Sequence, residues 1–385
     1  MKVLFVLGSF FPAQSGGPNN SVYWISKALV KQGVQVSVAT LKDGLTSADV
    51  KEYSLIENSE ARIEGIRATY FGYLFSRYLS FKMMLWLIRN IKSFDIVNLN
   101  SVFFPYTWLA ALICIIYRVP FIISPRGELE PGALSFKKYR KLFFIYSLAM
   151  RYLLRARLIL TTSDQEKLYV NKFLKGRVPI KVFPNYISVV SEDLTRSEIV
   201  SKSDILFLGR LHPKKGIENL IQAYEILHTT GITHHNLIIA GQGDTRYEKD
   251  LKNLVLKLNS AQNIKFVGHV TGQDKRQFLI KSRVMVLPSF SENFGNVVLE
   301  ALSAYTPVIA SKFTPWEVLE EYNCGLIGKN DPNSIANFLT DLLNKDDVEY
   351  SQMAYNARIL ATSKFDVSEN ISKLINIYDE LCPVK

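Results

Sequence analysis

The sequence predicts an α/β protein made of two domains, each with a parallel sheet covered by helices on both faces. Short and almost unbroken apolar runs alternate with helical stretches along the chain, which is the pattern of parallel strands buried on both faces. The length of 385 residues exceeds one ordinary core and suits two domains of somewhat under 200 residues each. An apolar content of 48% is enough to fill two such cores.

The predicted strands are distributed evenly along the chain. In the first half they are Val3–Leu7, Val34–Ala39, Ile96–Leu99, Phe121–Ile123 and Leu158–Leu160. In the second half they are Ile205–Leu208, Leu237–Ala240, Ile264–Val267, Val284–Leu287 and Val308–Ala310. The composition turns polar between Val190 and Ser203, which predicts a linker there and domains at residues 1–190 and 191–365.

The most informative segment is Ser289–Ala301, which follows a predicted buried strand ending at Pro288. A strand, a short loop and a helix start, in this order, point the free backbone N–H groups of the helix at an anion. Glu292 precedes the helix and Glu300 lies about two turns into it, so the two carboxylates are placed to hold two ends of one ligand. Such a spacing is common by chance, but here it follows an apolar strand and encloses Gly295.

A second loop, Gly209–Gly216, connects the strand Ile205–Leu208 to an amphipathic helix over Ile217–Leu227. Its cations Arg210 and Lys215 suit a diphosphate, which offers bidentate oxygens to arginine. The alternative to a diphosphate site is a solvated basic turn, which would be the better interpretation if the two cations stood alone. Together with the two carboxylates, the cations predict a sugar nucleotide, with cations for the diphosphate and carboxylates for hydroxyls.

The motifs G-R-L-x-x-x-K-G, over Gly209–Gly216, and S-E-x-F-G-x-x-x-x-E-A, over Ser291–Ala301, resemble the donor half of the retaining glycosyltransferases of family 4. Proteins of that family have the GT-B fold, in which two Rossmann-like domains with parallel sheets face each other across a cleft. The resemblance extends to Lys2–Val6, Phe94–Asn98 and Thr306–Ala310, so it covers nearly the whole chain.

The resemblance implies a role for each residue of the two loops. The donor diphosphate would be bound by Arg210, Lys215, Gly17, Phe294 and Gly295, the last two through their amides. Glu300 would bind the ribose hydroxyls. Glu292, as a catalytic residue, and Asn293 would lie beside the transferred sugar, where Glu292 positions the sugar and stabilises charge.

Two departures from the family pattern concern backbone turns. Asn293 stands where members often have glycine in E-G-F-G, and asparagine is the best substitute for glycine where φ must be positive. Tyr186 replaces the glycine of the family's P-N-G-I, so no tight glycine-dependent turn is expected there, whereas the fold is expected to be retained.

The third departure is Arg126, which stands where many members have a histidine. Arg126 is expected to be the second catalytic residue and to line the acceptor side together with Gly16 and Gly17. It would contact an acidic group of the acceptor, such as a lipid diphosphate, or the phosphate or sugar of the donor, because arginine binds anions in a bidentate manner. The alternative is that Arg126 pairs with Glu128 or Glu130 and only holds the loop.

Charge is distributed unevenly between the two halves. Residues 1–190 carry a net charge of +14 and residues 191–385 carry −3, which together make the +11 of the chain. No acidic residue occurs between Glu130 and Asp164, whereas basic residues are interleaved with aromatic ones over 137–157. Such a helix can lie on an anionic bilayer, at about 1 kcal/mol per basic residue. The alternative is a core helix with solvated cations. Nucleic-acid modules are absent from the sequence.

The sequence also predicts the setting of the reaction. No cofactor is expected beyond a UDP- or GDP-sugar substrate, and no metal, since Asp-x-Asp is absent and fixed cations are available. Three scattered cysteines indicate no disulfide framework. Met1–Leu7 is expected to be a strand rather than a signal peptide, and Val102–Tyr117 is shorter than the roughly 20 residues of a spanning helix. The expected location is the cytoplasm, at the inner face of the plasma membrane.

The resemblance implies a retaining transferase of hexosyl type that acts on a sugar or lipid-linked glycan in surface polysaccharide or glycolipid synthesis. It also implies that the chain end crosses back near Phe365, so that a helix at about 366–385 packs on the first domain. Two alternatives stay open. A sugar-nucleotide 2-epimerase of similar fold would need no acceptor, and a non-enzymatic basic membrane-binding protein would have no affinity for nucleotides.

Overall fold

The computed structural model describes residues 1–13, 17–73, 78–135, 137–189, 193–232 and 234–382, without the side chains of 17–19. The chain forms two compact units. Unit 1 comprises Met1–Ser188 and Val367–Lys385, and unit 2 comprises Val189–Asp366. The domain boundaries predicted after residues 190 and 365 lie two residues and one residue away from these.

The strands are the apolar runs of the sequence and a few shorter segments. Those of unit 1 are β1 Lys2–Leu7, β2 Gln35–Leu41, β3 Glu60–Ile63, β4 Ile66–Phe71, β5 Ile96–Asn100, β6 Phe121–Ser124, β7 Leu158–Thr161 and β8 Ile180–Val182. Those of unit 2 are β9 Asp204–Leu208, β10 Leu237–Ala240, β11 Ile264–Gly268, β12 Ser282–Leu287, β13 Val308–Ser311 and β14 Gly325–Gly328. All ten predicted strands overlap with observed ones.

The helices lie between the strands and at the chain end. The first eight are α1 Gly17–Lys31, α2 Ser47–Glu52, α3 Phe81–Asn90, α4 Pro105–Tyr117, α5 Pro131–Ser135, α6 Lys138–Phe144, α7 Met150–Leu153 and α8 Asp164–Leu174. A π-helical segment, Ile145–Ala149, joins α6 to α7. The remaining helices are α9 Arg196–Val200, α10 Ile217–Thr229, α11 Thr245–Val255, α12 Gly272–Lys281, α13 Asn296–Ser303, α14 Val318–Glu321, α15 Pro332–Leu343, α16 Asp347–Phe365 and α17 Val367–Leu381.

The sheet of unit 1, within the described residues, has the order β3-β4-β2-β1-β5-β6-β7-β8. All neighbours are parallel except β3 and β4, which pair in the antiparallel direction at the edge of the sheet. The physical reason is the connection, because a two-residue turn can join only antiparallel strands. Glu64 and Gly65 form that turn, both with positive φ.

The central strand β1 of unit 1 separates two apolar layers. Leu4 and Val6 belong to one buried cluster, whereas Val3, Phe5 and Leu7 belong to the other, as the alternation of side chains along a strand requires. The second cluster includes apolar residues of α1 and of the C-terminal helix α17. The chain end therefore packs on unit 1.

The sheet of unit 2 has the order β11-β10-β9-β12-β13-β14 in the described part of the chain, and every neighbouring pair is parallel. Strands β9 and β12 are neighbours although they are far apart in sequence. The carboxyl ends of parallel strands lie at one edge of a sheet, so the loops that follow β9 and β12 meet there.

None of the described helices is both long enough and apolar enough to span a membrane.

Candidate active site

The loop after β12 turns sharply into helix α13. Gly295 has a φ of 83° and is the N-terminal cap of the helix, and its carbonyl accepts a hydrogen bond from the N–H of Val298 at 2.9 Å. A Cβ at Gly295 would lie 3.2 Å from side-chain atoms of both Leu287 and Glu292. The positive φ expected at Asn293 is absent, so the left-handed residue of this turn is Gly295, which the family pattern retains.

The loop after β9 lies against the loop after β12. Gly216 has a φ of 65°, and a Cβ there would lie 2.2 Å from the carbonyl oxygen of Pro288. The N–H of Phe290 donates to the carbonyl of Lys214 at 2.8 Å. Backbone contacts of this kind allow no larger residue at position 216, and they hold the loop Gly209–Gly216, here called the cationic loop, beside the loop that carries Glu292.

Lys215 and Glu292 form an ion pair between these two loops. Their side chains are 12% and 13% exposed, so solvent screens the pair far less than a surface pair. The hydroxyl of Ser289 lies 3.4 Å from the same carboxylate. The two loops that the sequence predicts to share a ligand are therefore in direct contact through two of the predicted site residues.

Glu300 lies on α13 and pairs with Lys275 of α12 at 2.8 Å. Its second carboxylate oxygen, Oε2, is buried, and within the described residues it has no hydrogen-bond partner. Such an oxygen can accept a hydrogen bond from a ligand hydroxyl. Sequence analysis missed Lys275, because a lysine in an amphipathic helix carries no signal of its partner.

Arg210 is exposed at the start of the cationic loop. No hydrogen bond or ion pair connects it to any described residue, so its guanidinium is available to an anion. Nearby, His212 accepts a hydrogen bond from the N–H of Lys214 through Nδ1 at 3.1 Å. Burial, followed by the charges of Lys214, Arg210 and Lys215, lowers the pKa of His212, so this ring is neutral near pH 7.

In unit 1, Arg126 occupies a left-handed turn with a φ of 55° after β6. Its Nε and Nη2 donate to Oδ1 of Asn100 at 3.1 and 3.0 Å, and its Nη1 donates to Oδ1 of Asn185 at 2.8 Å. In the described parts of the chain it has no ion pair, so the alternative in which Arg126 pairs with Glu128 or Glu130 is wrong. Burial lowers the pKa of Arg126, which nevertheless remains a cation at neutral pH.

The acidic residues near Arg126 hold backbone instead. Glu128 accepts from the N–H groups of Val102 and Phe103 at 2.6 and 3.1 Å, which satisfies a charge that burial would otherwise make costly. Burial raises the pKa of Glu128. Glu166 accepts from the N–H of Gly127 at 2.6 Å. These carboxylates fix the loop that carries Arg126.

The remaining predicted site residues are placed only in part. Gly17 begins α1, and Gly16 lies outside the described residues. Tyr186, which replaces a family glycine, is buried and packs on Phe183 with ring centroids 4.8 Å apart. Among the described side chains no group of three or more His, Cys, Asp or Glu residues is arranged to hold a metal ion.

Comparison with known proteins identifies both halves of the chain. Residues 15–190 match the model of Glycosyltransferase Family 4, and residues 192–359 match the model of Glycosyl transferases group 1. The boundary between the two matches lies close to the boundary between unit 1 and unit 2.

Relatives and solved structures cover nearly the full length. An uncharacterised glycosyltransferase of Methanocaldococcus jannaschii is 27% identical over 411 positions, which cover 98% of each chain. The GalNAc-alpha-(1->4)-GalNAc-alpha-(1->3)-diNAcBac-PP-undecaprenol alpha-1,4-N-acetyl-D-galactosaminyltransferase of Campylobacter jejuni is 24% identical, with 93% of each chain covered. The structure of Anabaena HepE, solved in complex with UDP and glucose, matches 99% of this chain and 100% of that one, with a TM-score of 0.76 and 20% identity. With both halves matched and the GT-B fold shared, this chain belongs to the group 1 glycosyltransferases of family 4 and is a glycosyltransferase.

Proposed function

We propose that this protein moves a sugar from a nucleotide-sugar donor to an acceptor hydroxyl, with retention of anomeric configuration and without a metal ion. The observation that carries the proposal is the meeting of three groups at one edge of the unit 2 sheet. These are the cation Arg210, which has no partner among the described residues, the ion pair of Lys215 with Glu292, and the helix start at Gly295. An anion and a sugar can be bound side by side at such a place.

The chemistry needs charge stabilisation more than acid–base groups. As the bond between the anomeric carbon and the diphosphate oxygen breaks, negative charge grows on the leaving group. In this proposal, Arg210, Lys215 and the amides at the start of α13 stabilise that charge. The acceptor hydroxyl then bonds to the anomeric carbon on the face that the phosphate leaves, and its proton passes to the departing diphosphate. Glu292 stabilises the positive charge that develops on the sugar.

The donor is proposed to be a UDP- or GDP-sugar, with no other cofactor. Oε2 of Glu300 has no partner in the part of the chain that the structure describes, which supports a contact with ribose hydroxyls, because a buried carboxylate oxygen needs a donor. The complex of Anabaena HepE with UDP and glucose favours UDP over GDP by analogy of fold.

A panel of UDP-, GDP-, ADP- and dTDP-sugars tests the donor proposal by thermal unfolding. A ligand at 100 times its dissociation constant adds about 2.7 kcal/mol to the free energy of unfolding, which is readily measured. If none of the nucleotide sugars raises the unfolding temperature, the proposal is wrong. Incubation of the best donor alone distinguishes the 2-epimerase alternative, since an epimerase converts the sugar without an acceptor and a transferase does not.

The acceptor is proposed to be a sugar or a lipid-linked glycan in surface polysaccharide or glycolipid synthesis. The Campylobacter jejuni relative is named for an undecaprenol-linked glycan, and this name supports a lipid-linked acceptor. Arg126 supports it as well, because it is a cation without an ion pair among the described residues and is oriented by two asparagines. An anionic group such as a lipid diphosphate is the partner that suits it.

The segment 137–157 supports a membrane-bound acceptor, with the protein at the inner face of the plasma membrane. Tyr139, Phe143 and Tyr146 are 85%, 76% and 68% exposed, and their spacing places them on one side of the helical segment. The alternative in which these rings face the core is therefore wrong for all three. Exposed rings beside exposed arginines suit the interface of an anionic bilayer.

Co-sedimentation with vesicles tests this surface. We expect binding to anionic vesicles at low salt, weaker binding to neutral ones, and a loss of binding when Phe143 and Tyr146 are replaced by serine. Leu256→Ser is the matched control, because Leu256 is 77% exposed in unit 2 and lies outside the basic segment. Equal and negligible binding to both vesicle types would eliminate the membrane part of the proposal.

A further inference from the structure

Trp316 lies directly behind the loop that carries Glu292 and Gly295. It follows β13, its side chain is completely buried, and its indole N–H donates to the carbonyl oxygen of Phe294. Neither the motifs of the sequence nor the proposed function uses this tryptophan. Its position is notable because Phe294 and Gly295 share the peptide bond just before the start of α13.

Peptide geometry makes this contact directional. In a planar trans peptide the carbonyl and the following N–H point in opposite directions. An indole that holds the carbonyl of Phe294 on the buried side therefore points the N–H of Gly295 away from the core. Within the described residues this N–H has no acceptor, so it is left free at the start of α13, where anions bind.

Packing keeps the indole in place. The ring of Trp316 lies 5.1 Å from that of Phe294 and 5.5 Å from that of Phe365, and these last two rings are 6.1 Å apart. All three side chains are buried. Phe365 is the last residue of α16, immediately before the chain leaves unit 2. The aromatic cluster thus ties the loop to the end of a long helix.

We propose that Trp316 is a positioning residue, whose indole N–H orients the amide of Gly295 towards the diphosphate of the bound nucleotide. The proposal rests on the proposed function, because it needs a diphosphate at this helix start. Trp316 does not touch the substrate and acts only through the peptide between Phe294 and Gly295. A phenylalanine at position 316 would retain most of the packing but would leave the carbonyl without its donor.

The test compares the affinities of a nucleoside diphosphate and the corresponding nucleoside by calorimetry, in the wild type and in Trp316→Phe. A hydrogen bond to a charged group corresponds to roughly a ten- to hundredfold change in affinity. We expect a loss of that size for the diphosphate and less than about a twofold change for the nucleoside. Thermal unfolding checks that the variant is folded. If Trp316→Phe is not folded, Trp316→Leu, which also has no side-chain donor, takes its place.

Phe365→Leu is the matched control, because it removes a ring from the same cluster and leaves the indole hydrogen bond intact. It should lower the unfolding temperature without changing the ratio of the two affinities. An unchanged ratio in Trp316→Phe, or an equal change in Phe365→Leu, would overturn the role of the indole N–H. A wild type that binds the diphosphate no better than the nucleoside would instead overturn the proposed donor site itself.

Discussion

Glu292→Gln should bind a nucleoside diphosphate more tightly than the wild type, although it should lose transfer. The ammonium of Lys215 is engaged by the carboxylate of Glu292. A diphosphate that recruits Lys215 must compete with this carboxylate and is also repelled by it. The neutral glutamine removes both effects and retains the size of the side chain.

The size of the effect follows from the burial of the pair. Two opposite charges about 4 Å apart attract each other by about 4 kcal/mol at an effective dielectric constant of 20, which suits side chains as buried as these. Desolvation offsets much of this, and the net contribution of a hydrogen bond between charged groups is about 1.5 to 3 kcal/mol. If the diphosphate must offset about half of this free energy to recruit Lys215, Glu292→Gln should lower the dissociation constant of the diphosphate by about three- to tenfold.

Isothermal titration calorimetry of the nucleoside diphosphate measures this directly. Lys215→Met should weaken binding strongly, and Glu300→Gln should weaken it through the ribose. Glu321→Gln is the matched control, because its pair with Lys364 is exposed and 3.9 Å long, so its removal should change nothing. If Glu292→Gln weakens binding as Lys215→Met does, then Glu292 contributes to binding of the diphosphate and the competition model is refuted.

Three further predictions concern other parts of the structure. Gly216→Ala should lower the free energy of unfolding by more than about 2 kcal/mol, measured by urea titration, because a Cβ would lie 2.2 Å from the carbonyl of Pro288 in a left-handed turn. Burial lowers the pKa of Lys202 from its ordinary 10.5 to about 7, so only the unfolded state holds this proton between those values. The free energy of unfolding should therefore rise by about 1.4 kcal/mol per pH unit from pH 7 towards 10.5, and this gain should be lost as the pH falls back to 7. Urea titrations at several pH values should show a weaker dependence of the free energy of unfolding on pH in Lys202→Met. Arg126→Lys retains the charge but cannot hold both asparagine oxygens, so transfer assays should show a loss of about tenfold or more while calorimetry shows unchanged nucleotide binding.

Local patterns of the sequence were sufficient for the main strands and for both loops of the candidate site. A short apolar run is stable as an interior strand, where both of its faces are buried, and a glycine-rich turn after it leads into a helix start. The strands that the sequence did not predict, β3, β4, β8 and β14, are short, or carry polar residues or glycine within them. Their pairing depends on neighbouring strands, so no local pattern marks them.

The sequence by itself determined the fold class, the family and the residue types of the two candidate loops, because these follow from hydrophobic periodicity and from motifs read along the chain. Only the tertiary structure decided which charges meet. Lys215 and Glu292 are 77 residues apart and become partners because β9 and β12 are neighbours in the sheet. In the same way, Lys275 reaches Glu300 and Trp316 reaches Phe294 through the packing of separate elements. Such contacts depend on distances across the fold, and the spacing of residues along the sequence does not give these distances.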